Sequence, residues 1–202
     1  MSRLIAFEGG EACGKSTQAA LLAERLDAVL TREPGGTVLG ERVRSLLLDP
    51  ASGALDPRAE ALLMAAARAQ HVAEVVAPAL ASGRVVVSDR YSHSSLAYQG
   101  YGRGLPLDDV RGLSDWATGG LWPDAVVLLD LAADAAEARR GHPDRFESEA
   151  PAFHRRVEEG FRALAAEDPS CWRVVDASGT IEEVAARVWA SLAGLVPPES
   201  SS

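Results

Sequence analysis

Positive charge is scarce in this chain, and lysine is scarcer still. The 202 residues carry 20 basic side chains against 29 acidic ones, a formal net charge of −9, and Lys15 is the single lysine among 19 arginines. So acidic a chain excludes broad, sequence-blind attachment to nucleic acid, and an anionic partner must be met by charge gathered locally. Cysteine is equally rare: Cys13 and Cys171 cannot build a disulfide scaffold, and a reducing cytoplasm is their expected setting. Long apolar runs are missing too. None approaches the ~20 residues that cross a bilayer, so no membrane partner is expected, and residues 1–8 lack the basic-then-apolar order of a secretory leader. What remains is ordinary globular material, 47% hydrophobic and 24% charged, which excludes wholesale disorder and collagen-like architecture.

No internal repeat is present, and the length predicts one domain over residues 1–196, large enough to bury a core. Residues 197–202, Pro-Pro-Glu followed by serines, have nothing to bury and are expected to form a disordered tail. Elsewhere short apolar runs alternate with longer helical patterns. That alternation predicts an α/β fold, a parallel five-stranded sheet with helices on both faces. Strands are expected at 4–7, 28–30, 85–88, 126–129 and 172–175, and helices at 15–26, 38–47, 57–81, 107–118, 133–139, 150–166 and 180–195. In the last helix Ile181, Val184, Ala185, Val188 and Leu192 fall on one face at three- and four-residue steps.

The segment Gly9-Gly10-Glu11-Ala12-Cys13-Gly14-Lys15-Ser16 fits G-x-x-x-x-G-K-[ST], with a strand pattern running in and a helical one running out. Glycines let backbone N–H groups converge on phosphate oxygens, and the positive end of the following helix adds to that field. Lys15 would reach the outer phosphates and the Ser16 hydroxyl would hold Mg²⁺. A chain that uses arginine at every other basic position keeps lysine where a compact point charge must fit inside a ring of amides. The guanine-reading motif Asn-Lys-x-Asp needs a lysine that this sequence lacks, so a GTPase switch is not expected. Motors need more sheet than this length provides. A small kinase remains.

Val85-Val86-Val87-Ser88-Asp89-Arg90-Tyr91 reads as an apolar strand whose carboxyl end would face the ligand crevice. Asp89 there is open to two roles, a partner of Mg²⁺ through water or a cap on the next helix. Arg90 offers a planar fork for a phosphate. Beyond these, the chain carries Phe7-Glu8-Gly9-Gly10-Glu11 into Gly14-Lys15-Ser16-Thr17, then Thr31-Arg32-Glu33-Pro34-Gly35-Gly36-Thr37. It also carries Asp89-Arg90-Tyr91 into Ser94-Ser95-Leu96-Ala97-Tyr98-Gln99-Gly100, Gly120-Leu121-Trp122-Pro123-Asp124, and Asp144-Arg145-Phe146-Glu147. In order and spacing these motifs resemble the bacterial thymidylate kinases, of the nucleoside monophosphate kinase group.

The resemblance implies an adenylate-kinase-like fold with a short lid at about residues 139–149, a homodimer, and transfer of a phosphoryl group from ATP to dTMP with Mg²⁺. It assigns Gly9, Gly10, Glu11, Ala12, Cys13, Gly14, Lys15, Ser16 and Thr17 to the ATP phosphates. Ser16 and Asp89 go to the metal, and Arg44 and Arg90 to the dTMP phosphate. Arg68 matches the arginine that meets the thymine carbonyl, with Ser95 and Gln99 beside the base. Tyr98 matches the aromatic against the deoxyribose, and Glu11 an acid reaching toward the 3′-hydroxyl. Arg42 and Gln70 are the neighbours that could align in place of Arg44 and Gln99. Met64 stands where the family usually stacks a phenylalanine on thymine, so a looser base pocket is expected. The alternatives are a kinase for another pyrimidine monophosphate and an inactive nucleotide-binding module.

The acceptor of such a reaction is itself a phosphate with a second pKa of about 6, so its attacking oxygen needs no general base. Catalysis reduces to alignment and to cationic charge over the transferring group. The loop positions where some relatives carry an arginine are Gly10, Glu11, Ala12 and Cys13. The segment Arg139-Arg140-Gly141-His142-Pro143-Asp144-Arg145 is therefore expected to deliver the missing charge, Arg145 first and Arg140 next.

Overall fold

A computed structural model describes residues 2–132 and 144–196. The helix expected at 133–139, Arg139, Arg140 and the tail at 197–202 lie outside the described residues. Five parallel strands, β1 (Leu4–Glu8), β2 (Val29–Arg32), β3 (Val86–Asp89), β4 (Ala125–Asp130) and β5 (Trp172–Asp176), form one sheet in the order β2-β3-β1-β4-β5. β1 is central: Leu4 to Phe7 pair in register with Val86 to Asp89, and Ile5 to Glu8 with Ala125 to Leu128. Its five residues are all buried, as expected of a strand covered on both faces.

Alternation along the strands sorts the core into two faces. Ile5 and Phe7, with Val87, Val127 and Leu129, pack against Ala19, Leu22 and Ala23 of α1 (Lys15–Leu26) and Val184 and Val188 of the last helix, Ile181–Ser191. On the other face Leu4, Ala6 and Val86 meet Val72, Val76 and Tyr91. Val126 and Leu128 meet Leu96, Phe153 and Phe161. The remaining helices are α2 (Val38–Leu48), α3 (Pro57–His71), α4 (Ala77–Ala81), α5 (Ser92–Ser95), α6 (Leu107–Thr118) and α7 (Pro151–Glu167); Ile181–Ser191 is α8.

Three details differ from the sequence reading. The helix expected at 57–81 is interrupted by a wide π turn at Val72–Val76. Pro78 has no N–H to give the ladder and crowds the turn before it, and the wider turn absorbs that. A helix not expected from sequence runs from Ser92 through a second π segment, Leu96–Gly102. The final helix stops at Ser191, and Ile181, on its first turn, is 53% exposed rather than buried.

Candidate active site

The loop between β1 and α1 is shaped by backbone. Gly9, Ala12 and Gly14 hold positive φ angles of 140°, 56° and 93°. A Cβ at Gly9 would lie 2.7 Å from the Leu129 carbonyl oxygen, so only glycine fits beside β4. α1 begins at Lys15, whose ammonium folds back over the loop, donating to the Gly10 carbonyl at 2.5 Å and lying 3.5 Å from Cys13 Sγ. Beside it the Ser16 hydroxyl donates to Asp89 Oδ2 at 2.5 Å. Asp89 does not cap the following helix, which has no side-chain cap. Of the two roles open to it, the structure puts it at the mouth of the loop, two residues past the Val87 that pairs with Ile5 of β1.

Arg90 follows in a left-handed backbone conformation, φ 70°, uncommon for a side chain of this size and held only where the surroundings demand it. The guanidinium donates to Gly9 O, Ser94 Oγ, Glu11 Oε1 and Tyr98 Oη at 3.2, 3.1, 2.8 and 3.1 Å. Tyr98 in turn donates a short hydrogen bond to Glu11. Two acids, three residues apart, therefore flank one cation with opposite results. Burial disfavours charge on Glu11, but Arg90 and Lys15 outweigh it and hold that carboxyl at about 2. Burial dominates at Glu8, wholly enclosed, and lifts it to about 7 against the pull of Arg90. Glu8 accepts from the Tyr91 and Ser94 N–H groups at 2.9 and 3.1 Å and from Ser94 Oγ at 2.5 Å, which pins the turn that carries Arg90.

A second pocket opens on the other side of Arg90, lined by Glu11, Pro34, Arg44, Met64, Arg68, Ser95, Tyr98, Gln99 and Phe146 among others. Met64 and Arg68 are one helical turn apart on α3 and share a face. Arg68 is almost fully buried and donates to Glu33 Oε2 at 2.7 Å, Ser95 Oγ at 3.0 Å and Ser114 Oγ at 3.3 Å. Burial opposes the charge on Glu33, yet Arg68 and His71 keep its carboxyl below the usual range. His71 bridges Glu33 Oε1 at 2.9 Å and Thr31 Oγ1 at 2.6 Å. Arg44 donates to the Pro34 carbonyl at 3.0 Å. Burial, with Arg32 nearby, lowers its guanidinium pKa, the mark of a cation short of counter-charge. Of the alternatives left by alignment, Arg42 is exposed and Gln70 bonds to Glu74 on its own helix; neither lines the pocket.

A phosphate loop facing an arginine-walled pocket is shared by many small kinases. Over residues 7–188 the sequence matches the profile of one family, thymidylate kinase. The chain belongs to the thymidylate kinase family. A thymidylate kinase of Synechococcus sp. (strain JA-3-3Ab) is 55% identical over 192 residues, covering 92% of both chains. One from Syntrophotalea carbinolica is 46% identical over 94% of each. The crystal structure of the Ehrlichia chaffeensis thymidylate kinase aligns with a TM-score of 0.80 at 33% identity, covering 95% of this chain and 98% of that one.

Arg145, expected first to reach the transferring phosphoryl group, here donates to the Leu47 carbonyl at 2.6 Å and to Glu60 Oε2 at 2.7 Å, beside the pocket that Arg44, Arg68 and Arg90 line. Glu60 is completely buried, and a carboxylate there must be met by cations. Sequence reasoning missed the acids that organise the site: Glu8, Glu33 and Glu60. It also missed Phe146, which lines the pocket and packs edge-on to Tyr98 with ring centroids 5.7 Å apart. A signal for Glu60 existed: it stands four residues before Met64 and eight before Arg68, on the same helical stripe.

Proposed function

We propose that this protein transfers the γ-phosphoryl group of ATP to dTMP, giving dTDP and ADP. The observation that carries the reading is the meeting of two anion sites at Arg90, with the phosphate loop on one side and a pocket walled by Arg44, Arg68 and Tyr98 on the other. Membership of the thymidylate kinase family supports the choice of substrates. Gly9 through Thr17 cradle the donor phosphates, and Lys15 turns from the Gly10 carbonyl to the outer ones. Arg44 and Arg90 take the acceptor phosphate. Arg68, Ser95 and Gln99 read the base against Met64, Tyr98 lies along the deoxyribose, and Glu11 faces its 3′-hydroxyl.

The oxygen pair of Ser16 and Asp89, 2.5 Å apart, fits a hard divalent cation that keeps most of its waters and needs few protein ligands. When bound, Mg²⁺ supplies charge neutralisation on the donor phosphates. The chain's own residues do the rest: they align two phosphates, exclude water, and require no base because the acceptor is already ionised. In this reading Arg145 is the first of the lid arginines to serve the transferring group, and Arg140 the next. We assign the protein to the cytoplasm as a homodimer; the exposed Leu39 and Leu46 of α2, Leu62 of α3 and Trp116 of α6, on helices packed in succession, support a self-association face.

The test is ADP release coupled to a dehydrogenase, with dTMP, dUMP or dCMP as acceptor. Turnover is expected to be highest on dTMP. Equal efficiency on all three acceptors, or ADP release independent of any of them, overturns the assignment.

A further inference from the structure

Glu60 is an acid on the buried face of α3, with no exposed surface at all. Charge in such a place persists only when its partners are built around it. Arg103 grips it through Nε at 3.1 Å and Nη2 at 3.0 Å, and Arg145 through Nη2 at 2.7 Å. The remaining partner is neutral: Gln99 Nε2 donates to Glu60 Oε1 at 2.9 Å. Gln99 is itself fully buried, lines the acceptor pocket, and its carbonyl Oε1 has no hydrogen-bond partner among the described residues. Native proteins rarely leave a buried acceptor unmet, and one on a pocket wall awaits a donor from the ligand.

An amide is nearly symmetric in shape, so glutamine alone does not distinguish a donor from an acceptor. Glu60 removes that symmetry. A carboxylate only accepts, so it holds the Gln99 NH₂ and turns the carbonyl the other way. On the same wall Arg68 only donates. Resting on the thymidylate reading of the pocket, we propose that Glu60 is a specificity-determining positioning residue. It fixes the Gln99 amide so that the pocket presents one donor, Arg68, and one acceptor, Gln99 Oε1, to the pyrimidine edge. A 4-oxo ring with N3–H offers the complementary acceptor and donor. A 4-amino ring offers them reversed, with an unprotonated N3 facing the Gln99 carbonyl. The 5-methyl group plays no part in this device, which selects thymine and uracil together against cytosine.

The experiment compares kcat and KM for dTMP and dCMP in the wild type, Glu60→Gln and Gln99→Met. In Glu60→Gln the neighbouring amide no longer dictates which end of Gln99 it meets. The preference for dTMP over dCMP is expected to fall roughly ten- to hundredfold, through the two KM values in opposite directions, with kcat for dTMP changed far less. Gln99→Met, which leaves Glu60 with both arginines, should lose the preference to the same degree. A folded Glu60→Gln with wild-type preference overturns the inference, as does a Gln99→Met that still discriminates. Glu60→Gln also strips Arg103 and Arg145 of their counter-charge, so the wild type supplies an independent readout. On dTMP titration the Gln99 side-chain ¹³Cδ resonance should shift while its ¹⁵Nε2 resonance stays, and the reverse pattern overturns the proposal. Wild-type protein that ignores dTMP refutes the thymidylate reading and this inference together; dTMP turnover with an insensitive Glu60 refutes only the latter.

Discussion

Lys15, on the proposed donor side, rests on a backbone carbonyl and a thiol in a loop shaped by residues of positive φ, whereas Arg68 and Arg90, on the proposed acceptor side, are each fixed by a buried or half-buried carboxylate. One half of the site is made of main chain and the other of side-chain pairs. Phosphates are common to every nucleotide, so a cradle of N–H groups serves the donor without reading it. Selectivity for the acceptor needs particular side chains in particular orientations, and here acids supply the orientation. Glu33 holds Arg68, Glu11 and Glu8 frame Arg90, and Glu60 holds Gln99.

The contrast breaks most sharply at Glu33. Glu33→Ala leaves the Arg68 guanidinium buried without its partner, and stability in urea unfolding should fall by about 3–5 kcal/mol. Lys15→Ala is the matching lesion on the donor side. It should lower kcat on the order of 10²- to 10³-fold while moving unfolding by less than about 1 kcal/mol, because only contacts to a neutral carbonyl and a thiol of its own loop are lost. If Lys15→Ala unfolds the protein as readily as Glu33→Ala, the two halves are not built differently.

Glu8 sits at the seam and gives the smallest effect. Its carboxyl is raised from 4.5 to about 7 in the folded protein. Below pH 4.5 it is protonated in both states. As pH rises toward 7 the unfolded chain ionises first, so stability is lost across that window and levels off above it. At about 1.4 kcal/mol per unit, the ceiling is about 3 kcal/mol. Glu8→Gln lacks this dependence, and thermal unfolding of the two proteins at pH 5 and pH 8 should show the wild type losing ground to the variant. Parallel behaviour at both pH values would remove Glu8 from this role.

The phosphate loop was legible in the sequence because it is local: strand, glycines, Lys15 and helix follow one another along the chain. Arg44, Arg68 and Arg90, which line the neighbouring pocket, were legible through the motifs that carry them. Their acids were not, since Glu33 reads as loop charge and Glu60 as a solvated helix position until tertiary packing encloses both. The same ambiguity covers Arg145, an arginine of a Gly- and Pro-containing segment in the sequence and a partner of the buried Glu60 in the structure. The helix from Ser92 to Gly102 was hidden for a different reason. Serine and glycine are weak helix formers, yet the glycines here are packing devices: a Cβ on Gly102 would lie 2.7 Å from Phe153, and one on Gly160 2.7 Å from Tyr101. Residues that look like breaks in the sequence let this helix and α7 approach closely.

Arg90 belongs to both halves. It donates to Gly9 and Glu11 of the donor loop and to Ser94 and Tyr98 of the acceptor wall. A phosphate that draws this guanidinium away from Glu11 changes the loop on which the other nucleotide must sit. Binding free energies that pass through a shared group are coupled, and equally so in both directions. On the proposed function, the affinity for ATP is therefore expected to depend on dTMP, and that for dTMP on ATP by the same factor, which calorimetric titration of each with and without the other checks.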